Sequence, residues 1–70
     1  MFDKRQIKDF VKAVKDEAGN GWEMLGQRFQ RALIAERALY IFASQVCDSI
    51  PTKDLLKLRY DMLVEAGLSS

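Results

Sequence analysis

Apolar residues recur at helical spacing along almost the whole chain, and this periodicity limits the possible fold more than any other feature. No stretch alternates strictly between apolar and polar residues, as a half-buried strand does. Strong helix breakers occur at two places, the cluster Gly19-Asn20-Gly21 and Pro51. The sequence therefore predicts an all-α, three-helix chain, in which a helical hairpin with a long central helix is followed by a C-terminal helix.

Residues that favour helix ends divide the chain, which we interpret as a single domain, 1–70. Gly19 is suited to the left-handed position after the first helix, and Gly67 to the same position after the third. Because the turn at Gly19 is short, we expect the first two helices to lie antiparallel. The predicted helices cover residues 4–18, 21–49 and 53–66.

Three N-terminal caps are predicted. Asp3 is followed three residues later by Gln6, and such a pair can satisfy each other's backbone amides as a capping box. Asn20 and Glu23 repeat that spacing at the start of the second helix. Thr52 is the expected cap of the third helix.

A chain of 70 residues is too small to be stabilised comfortably by its own core. Disulfides, metals and oligomerisation are the usual supplements. The single Cys47 excludes an internal disulfide, and the absence of histidine makes a zinc site improbable. Association with a second copy is the remaining supplement, and we predict a helical homodimer.

The predicted central helix carries two apolar faces. One broad face is expected to pack on the other two helices; its members are Trp22, Leu25, Phe29, Ala32, Leu33, Leu39, Tyr40, Ala43, Val46, Cys47 and Ile50. A second face is predicted to form the dimer interface and contains Ile34, Ala38, Ile41 and Phe42. The alternative is that the third helix covers this second face within one chain.

Two charged residues interrupt the apolar stripes. Glu36 lies at the centre of the broad face, and Arg59 lies in the middle of the apolar side of the third helix. A carboxylate in an apolar setting needs a partner, so we expect Glu36 and Arg59 to form a structural ion pair. The alternative is that each side chain reaches the solvent separately.

The sequence contains few residues and motifs typical of catalytic sites. Without histidine, the commonest general base and its triads are missing, and the spacing of Gly19, Gly21 and Gly26 does not match a phosphate-binding loop. We expect no enzymatic activity, no metal and no cofactor. Cys47 is predicted to be a reduced, packed residue. No apolar run is long enough to span a bilayer, so a cytoplasmic location without membrane contact is expected.

Two surfaces are candidates for binding. Arg37, Tyr40 and Tyr60 lie beside apolar stripes and belong to residue types that dominate protein interfaces, so we predict that they bind a partner protein. Their alternative role is at the edge of the core and in solubility. A basic row on the first helix is the alternative nucleic-acid face; it consists of Lys4, Arg5, Lys8, Lys12 and Lys15. Such a row is more often a solvated face.

These features favour a non-enzymatic protein-binding module. The predicted protein is a small dimeric helical inhibitor or adaptor that docks on and modulates a larger protein. By size and lack of catalytic residues alone, it is analogous to accessory proteins of phages and mobile elements, which act on host proteins. The alternative function is a small dimeric DNA-binding transcriptional regulator that uses the lysine row of each copy.

Overall fold

The computed structural model describes residues 2–45 and 52–68, which contain three α-helices and one 3₁₀ helix. No strand occurs in these two ranges, and the all-α prediction is confirmed. The predicted stripe residues Val46, Cys47 and Ile50 lie outside the described residues. The helices are α1 (Lys4–Ala18), the 3₁₀ helix η1 (Gly19–Met24), α2 (Gln27–Gln45) and α3 (Thr52–Glu65).

The ends of α1 are fixed by the residues that the sequence singled out. The Asp3 carboxylate accepts the backbone N–H of Gln6 at 2.8 Å, and the Gln6 side-chain oxygen accepts the backbone N–H of Asp3 at 3.0 Å. This is the predicted capping box. Gly19 closes the helix with a φ of +61°, in a region that favours glycine, and its N–H bonds to the carbonyls of Lys15 and Asp16.

The predicted start of the second helix at residue 21 is wrong. Residues Gly19–Met24 form the 3₁₀ helix, no side chain caps it, and Asn20 and Glu23 do not form the expected capping box. Trp22 explains the difference, because its side chain is only 6% exposed and its carbonyl accepts the Gln30 amide N–H at 2.8 Å. The tertiary burial of this indole outweighs the local helix signal, and α2 begins six residues later than predicted, at Gln27.

α3 begins at Thr52 and carries Asp54 in its first turn, where a carboxylate is favourable near the positive end of the helix dipole. The Thr52 side chain lies outside the described residues, so its predicted role as a cap stays a prediction. At the other end, Gly67 has a φ of +75°. The Gly67 N–H donates to the carbonyl of Val64 at 3.0 Å, and the Leu68 N–H donates to the carbonyl of Leu63 at 2.8 Å. These two bonds form a Schellman motif, which confirms Gly67 as the terminator.

α1 and α2 lie antiparallel, as predicted for the hairpin. The ring of Phe2, just before α1, meets the ring of Phe42 near the end of α2, with centroids 5.9 Å apart. At the other end of α1, Glu17 forms an ion pair with Arg37 in the middle of α2. α3 packs against both helices. The resulting body measures 36 × 23 × 22 Å.

The core contains the face of α2 that the sequence analysis assigned to a dimer interface. We call Ile34, Ala38, Ile41 and Phe42 the inner face; none of the four is more than 6% exposed. Other buried apolar residues come from α1, η1 and α3, and are Ile7, Val11, Val14, Trp22, Leu58 and Met62. The third helix thus helps to cover this face within one chain, which is the alternative stated above.

The predicted dimer interface at Ile34, Ala38, Ile41 and Phe42 is therefore wrong, because a surface already buried in the chain is not available to a second copy. The physical reason lies in Glu36. Burying the broad face would take this carboxylate out of water without a partner, whereas the inner face buries no charge. Burial of a large aliphatic or aromatic side chain of the inner face stabilises the fold by roughly 1.5–3 kcal/mol relative to leaving it exposed.

Candidate protein-binding surface

The side of α2 opposite the core is apolar and turned to solvent. We call it the outer face; its members are Phe29, Ala32, Glu36, Leu39, Tyr40 and Ala43, and all six are exposed. At about 100° per residue these positions share one side of the helix. Phe29 is 64% exposed, Leu39 49% and Tyr40 63%. The central helix has two apolar faces, as the sequence indicated, but the face predicted for a dimer lies in the core. Of the described members of the predicted broad face, Trp22, Leu25 and Leu33 pack on the core, and the others are exposed.

Glu36 and Arg59 do not form the predicted ion pair. Both residues are exposed, and the ion pairs found within residues 2–45 and 52–68 join other side chains. Because the stripe that contains Glu36 faces solvent, its carboxylate is hydrated and needs no buried partner. The prediction of this ion pair is wrong because it assumed that the face containing Glu36 is buried, whereas that face is exposed.

Arg37 and Tyr40 are brought together at the border between the outer face and α1. The Arg37 guanidinium pairs with Glu17 and lies 5.6 Å from the centroid of the Tyr40 ring. Its side chain is 22% exposed, so most of the group is engaged within the chain. This contact restricts the Tyr40 ring while leaving it accessible, and an aromatic group that is ordered before binding loses less entropy on binding.

A groove of about 510 Å³ runs along this border between α1 and α2. Both apolar side chains and charged groups line it; the lining residues are Val14, Glu17, Ala18, Leu33, Glu36, Arg37 and Tyr40. Two carboxylates and one guanidinium in so small a space give oriented polar groups beside apolar area. This combination suits a protein surface better than a small apolar ligand.

Tyr60 lies elsewhere, on α3. It forms an exposed ridge with Leu56 and Val64, which lie four residues before and after it. Leu56 is 47% exposed, Tyr60 61% and Val64 48%. Beside the ridge, between α1 and α3, is a groove of about 350 Å³. Its lining residues are Phe2, Lys4, Ile7, Tyr60, Asp61, Val64 and Glu65. The two grooves share no lining residue, so Tyr60 is separated from Arg37 and Tyr40.

The basic row of α1 is largely exposed. Lys4, Arg5, Lys8 and Lys12 are accessible, and Lys12 pairs with Asp16 one turn later, at 3.5 Å. Lys15 is half-buried, and its ammonium lies 6.0 Å from the centroid of the Trp22 ring. The last lysine of the row thus covers the indole, and the other four side chains remain for contact with a polyanion.

Further chemistry is limited in the part of the chain that the structure describes. It contains no group of three or more histidine, cysteine, aspartate or glutamate side chains placed to hold a metal ion. Among its helices, none is both long enough and apolar enough to cross a bilayer. Every buried side-chain nitrogen or oxygen of these residues has a hydrogen-bond partner, so no unpaired polar group points to a missing ligand.

Sequence reasoning missed the α3 ridge and the anchoring of Trp22 by Gln30. A signal for the ridge was present, because Leu56, Tyr60 and Val64 share one side of the helix, while Leu58 and Met62 lie on another. The burial of the inner face of α2 also had a signal, the position of Glu36 inside the stripe taken as the core. The hydrogen bond between Gln30 and Trp22 had no signal in the sequence, because it forms only when residues 19–24 adopt the 3₁₀ helix.

Comparison with known proteins adds no assignment. The chain matches none of the family models, curated proteins or solved structures with which it was compared. The function is therefore argued from the surfaces described above.

Proposed function

We propose that the protein is a non-enzymatic protein-binding module, a small helical homodimer that docks on a larger protein and inhibits or adapts it. One observation carries the proposal: within residues 2–45 and 52–68, which contain a core built from all three α-helices, two separate apolar surfaces remain exposed, on α2 and on α3. Exposed large hydrophobic residues that share one helix side commonly mark protein contacts. Two such surfaces suit a protein that binds two partners at once.

The outer face of α2 is the proposed surface for the second copy. It lies on one helix, and it combines large residues with the small Ala32 and Ala43, which allow close approach of another helix. Tyr40, restricted by Arg37, stands at its edge as the aromatic anchor. This surface replaces the inner face as the site of the predicted homodimer.

The ridge of α3 is the proposed surface for the larger protein. Leu56, Tyr60 and Val64 offer apolar area, and the neighbouring groove adds Lys4, Asp61 and Glu65 as charged groups at its edge. An apolar centre with a polar rim is the usual composition of a specific interface. Tyr60 is the expected anchor of this contact, because tyrosine is enriched among residues that dominate binding energy.

A matched pair of substitutions tests the division between the two surfaces. Leu39 and Leu56 are almost equally exposed, at 49% and 47%, and each is replaced by glutamate. Leu39→Glu should convert a dimer into a monomer in light scattering at tens of micromolar, whereas Leu56→Glu should leave the dimer mass unchanged. For the larger protein captured from a lysate, Leu56→Glu should reduce the amount retained, whereas Leu39→Glu should leave it unchanged. A monomeric parent would remove the homodimer from the proposal.

DNA binding is a second candidate, favoured by one observation, the continuous exposure of Lys4, Arg5, Lys8 and Lys12. A dimer presents two such rows, and each phosphate contact releases counterions, so affinity should fall steeply as salt rises. A gel shift with mixed-sequence DNA at low salt is the test. A shift that is lost in Lys8→Glu and kept in Leu56→Glu would favour this function over the first.

A further inference from the structure

On the outer face of α2, each aromatic residue has a small residue at the same distance from Glu36 on the other side along the helix. Glu36 is the charged residue among the six members of the outer face. Ala32 and Tyr40 lie four residues from Glu36, one on each side along the helix, and Phe29 and Ala43 lie seven residues from it. At three residues, the exposed Leu39 has as its counterpart Leu33, which is half-buried against the core. Both exposed pairs, Ala32 with Tyr40 and Phe29 with Ala43, combine a small residue with a large one.

Such an arrangement is self-complementary. In an interface with a twofold axis, the same patch of both copies meets itself, so residues equidistant from the axis face each other. If the axis crosses α2 at Glu36 with the helices antiparallel, Phe29 meets the alanine at position 43 of the second copy. Tyr40 likewise meets the alanine at position 32. The large residues then fill the space that the small ones leave.

A parallel pair of helices does not give this fit. Each residue would meet its own counterpart, so two phenylalanines and two tyrosines would form wide layers while two alanines formed narrow ones. Helices in contact keep an almost constant separation of about 8–10 Å, and uneven layers leave gaps that lose dispersion contacts. The antiparallel arrangement gives layers of similar width along a seam of about 21 Å, at 1.5 Å per residue.

The exposed area of the chain is sufficient for a second copy. The chain exposes 5205 Å². A compact monomer of its length exposes about 4,450 Å², and the difference of about 750 Å² is close to the share that each partner buries in a standard interface. Contact with a second copy would remove an excess of this size, and the exposed Phe29, Leu39 and Tyr40 are part of the surface that such a contact would cover.

We infer that the chain dimerises through an antiparallel contact between the outer faces of α2, with the twofold axis at Glu36. This inference rests on the proposed function and specifies the partner, the orientation and the register of the contact. It also makes Glu36 the residue that limits affinity, since the two carboxylates approach each other at the axis. The unpaired charge that makes this face costly to bury in the core also weakens the contact between the two copies.

Disulfide trapping tests the orientation and the register. Phe29→Cys and Ala43→Cys are made separately in a Cys47→Ser chain, so that each variant has a single thiol. Disulfides form when the two Cα atoms lie within about 7 Å, whereas identical positions seven residues from the axis are about 21 Å apart in the antiparallel dimer. An equimolar mixture of the two variants should therefore give mixed covalent dimers on oxidation, and each variant alone should give few. Lys8→Cys, on the exposed side of α1, is the control for random collisions.

Each outcome has one meaning. Mixed dimers, identified by mass, at least tenfold more abundant than those of either variant alone support the inference. Efficient self-trapping of Ala43→Cys or Phe29→Cys indicates a parallel contact and overturns it. A parent that is dimeric in light scattering, with a mixture that traps no better than the Lys8→Cys control, overturns the register while leaving the proposed function intact. A monomeric parent instead overturns the homodimer itself.

Discussion

Phe29 and Phe42 lie on the same helix and have the same side chain, yet one is 64% exposed and the other 4%. Phe42 contacts the ring of Phe2 and belongs to the core, whereas Phe29 lies on the outer face. The difference shows that hydrophobicity alone does not decide which face of an apolar helix is buried. The face that contains a carboxylate is the costlier one to bury, and it is the face that is exposed here.

The largest expected difference between the two faces is in stability. Ile34→Ala removes atoms from a side chain with no exposed surface and should lower the free energy of unfolding by about 2–5 kcal/mol. Leu39→Ala should change the unfolding of the monomer by less than about 0.5 kcal/mol. Urea denaturation followed by circular dichroism, at a concentration too low for dimerisation, measures both. Equal losses in the two variants would contradict the assignment of the faces.

A smaller loss is expected at the edge of the inner face. Gln30 is 9% exposed, and its amide N–H donates to the carbonyl of Trp22. Gln30→Leu removes this bond and leaves the carbonyl with the Leu25 N–H at 3.2 Å as its donor, so the loss should be about 0.5–1.5 kcal/mol, the net contribution of one hydrogen bond. The measurement is the same urea titration, with a red shift of the Trp22 fluorescence as a local signal. Gln27→Leu, at an exposed position, is the control, and an equal loss there would show that the bond does not hold η1 in place.

On the outer face the expected change has the opposite sign. Glu36→Gln removes the repulsion at the axis and should strengthen dimerisation by about 1 kcal/mol, roughly fivefold in the dissociation constant. Sedimentation equilibrium measures it, and the gain should shrink as salt screens the parent's charges. Glu65→Gln, on α3, is the control for a general change in charge. Weaker association in Glu36→Gln would mean that the carboxylate makes a favourable contact across the interface.

The smallest effect is expected at the border between the faces. Glu17→Gln breaks the ion pair with Arg37, but the Glu17 side chain is 68% exposed, so the loss in unfolding free energy should stay below about 1 kcal/mol. Thermal unfolding in low salt measures this loss. A loss several times larger would show that the pair is a main support of the contact between α1 and α2.

Local signals in the sequence were sufficient for much of the fold. The capping box of Asp3 and the positive φ of Gly19 and Gly67 depend on neighbouring residues alone, and the structure contains all of them. The start of α2 was not predictable in this way, because the burial of Trp22 depends on residues far along the chain. The choice between the two apolar faces of α2 also depends on tertiary packing, and periodicity only showed that two faces exist.

The candidate site was predictable only as a set of residue types. Tyr40 and Tyr60 were singled out for their chemistry, and both are exposed. Their separation onto two helices follows from how α3 packs, which periodicity does not specify. The pairing of Arg37 with Glu17 was missed for the same reason, since it joins two helices through their relative rotation.

The central claim is that the inner face of α2 folds the chain and the outer face binds a second copy. Hydroxyl-radical footprinting over a dilution series, read by mass spectrometry at Phe29 and Phe42, tests it most directly because the two residues have the same intrinsic reactivity. Phe42 should be protected at every concentration, and Phe29 should become protected only as the dimer forms. Reactivity of Phe29 that stays high at all concentrations, or reactivity of Phe42 that rises on dilution, would contradict the account.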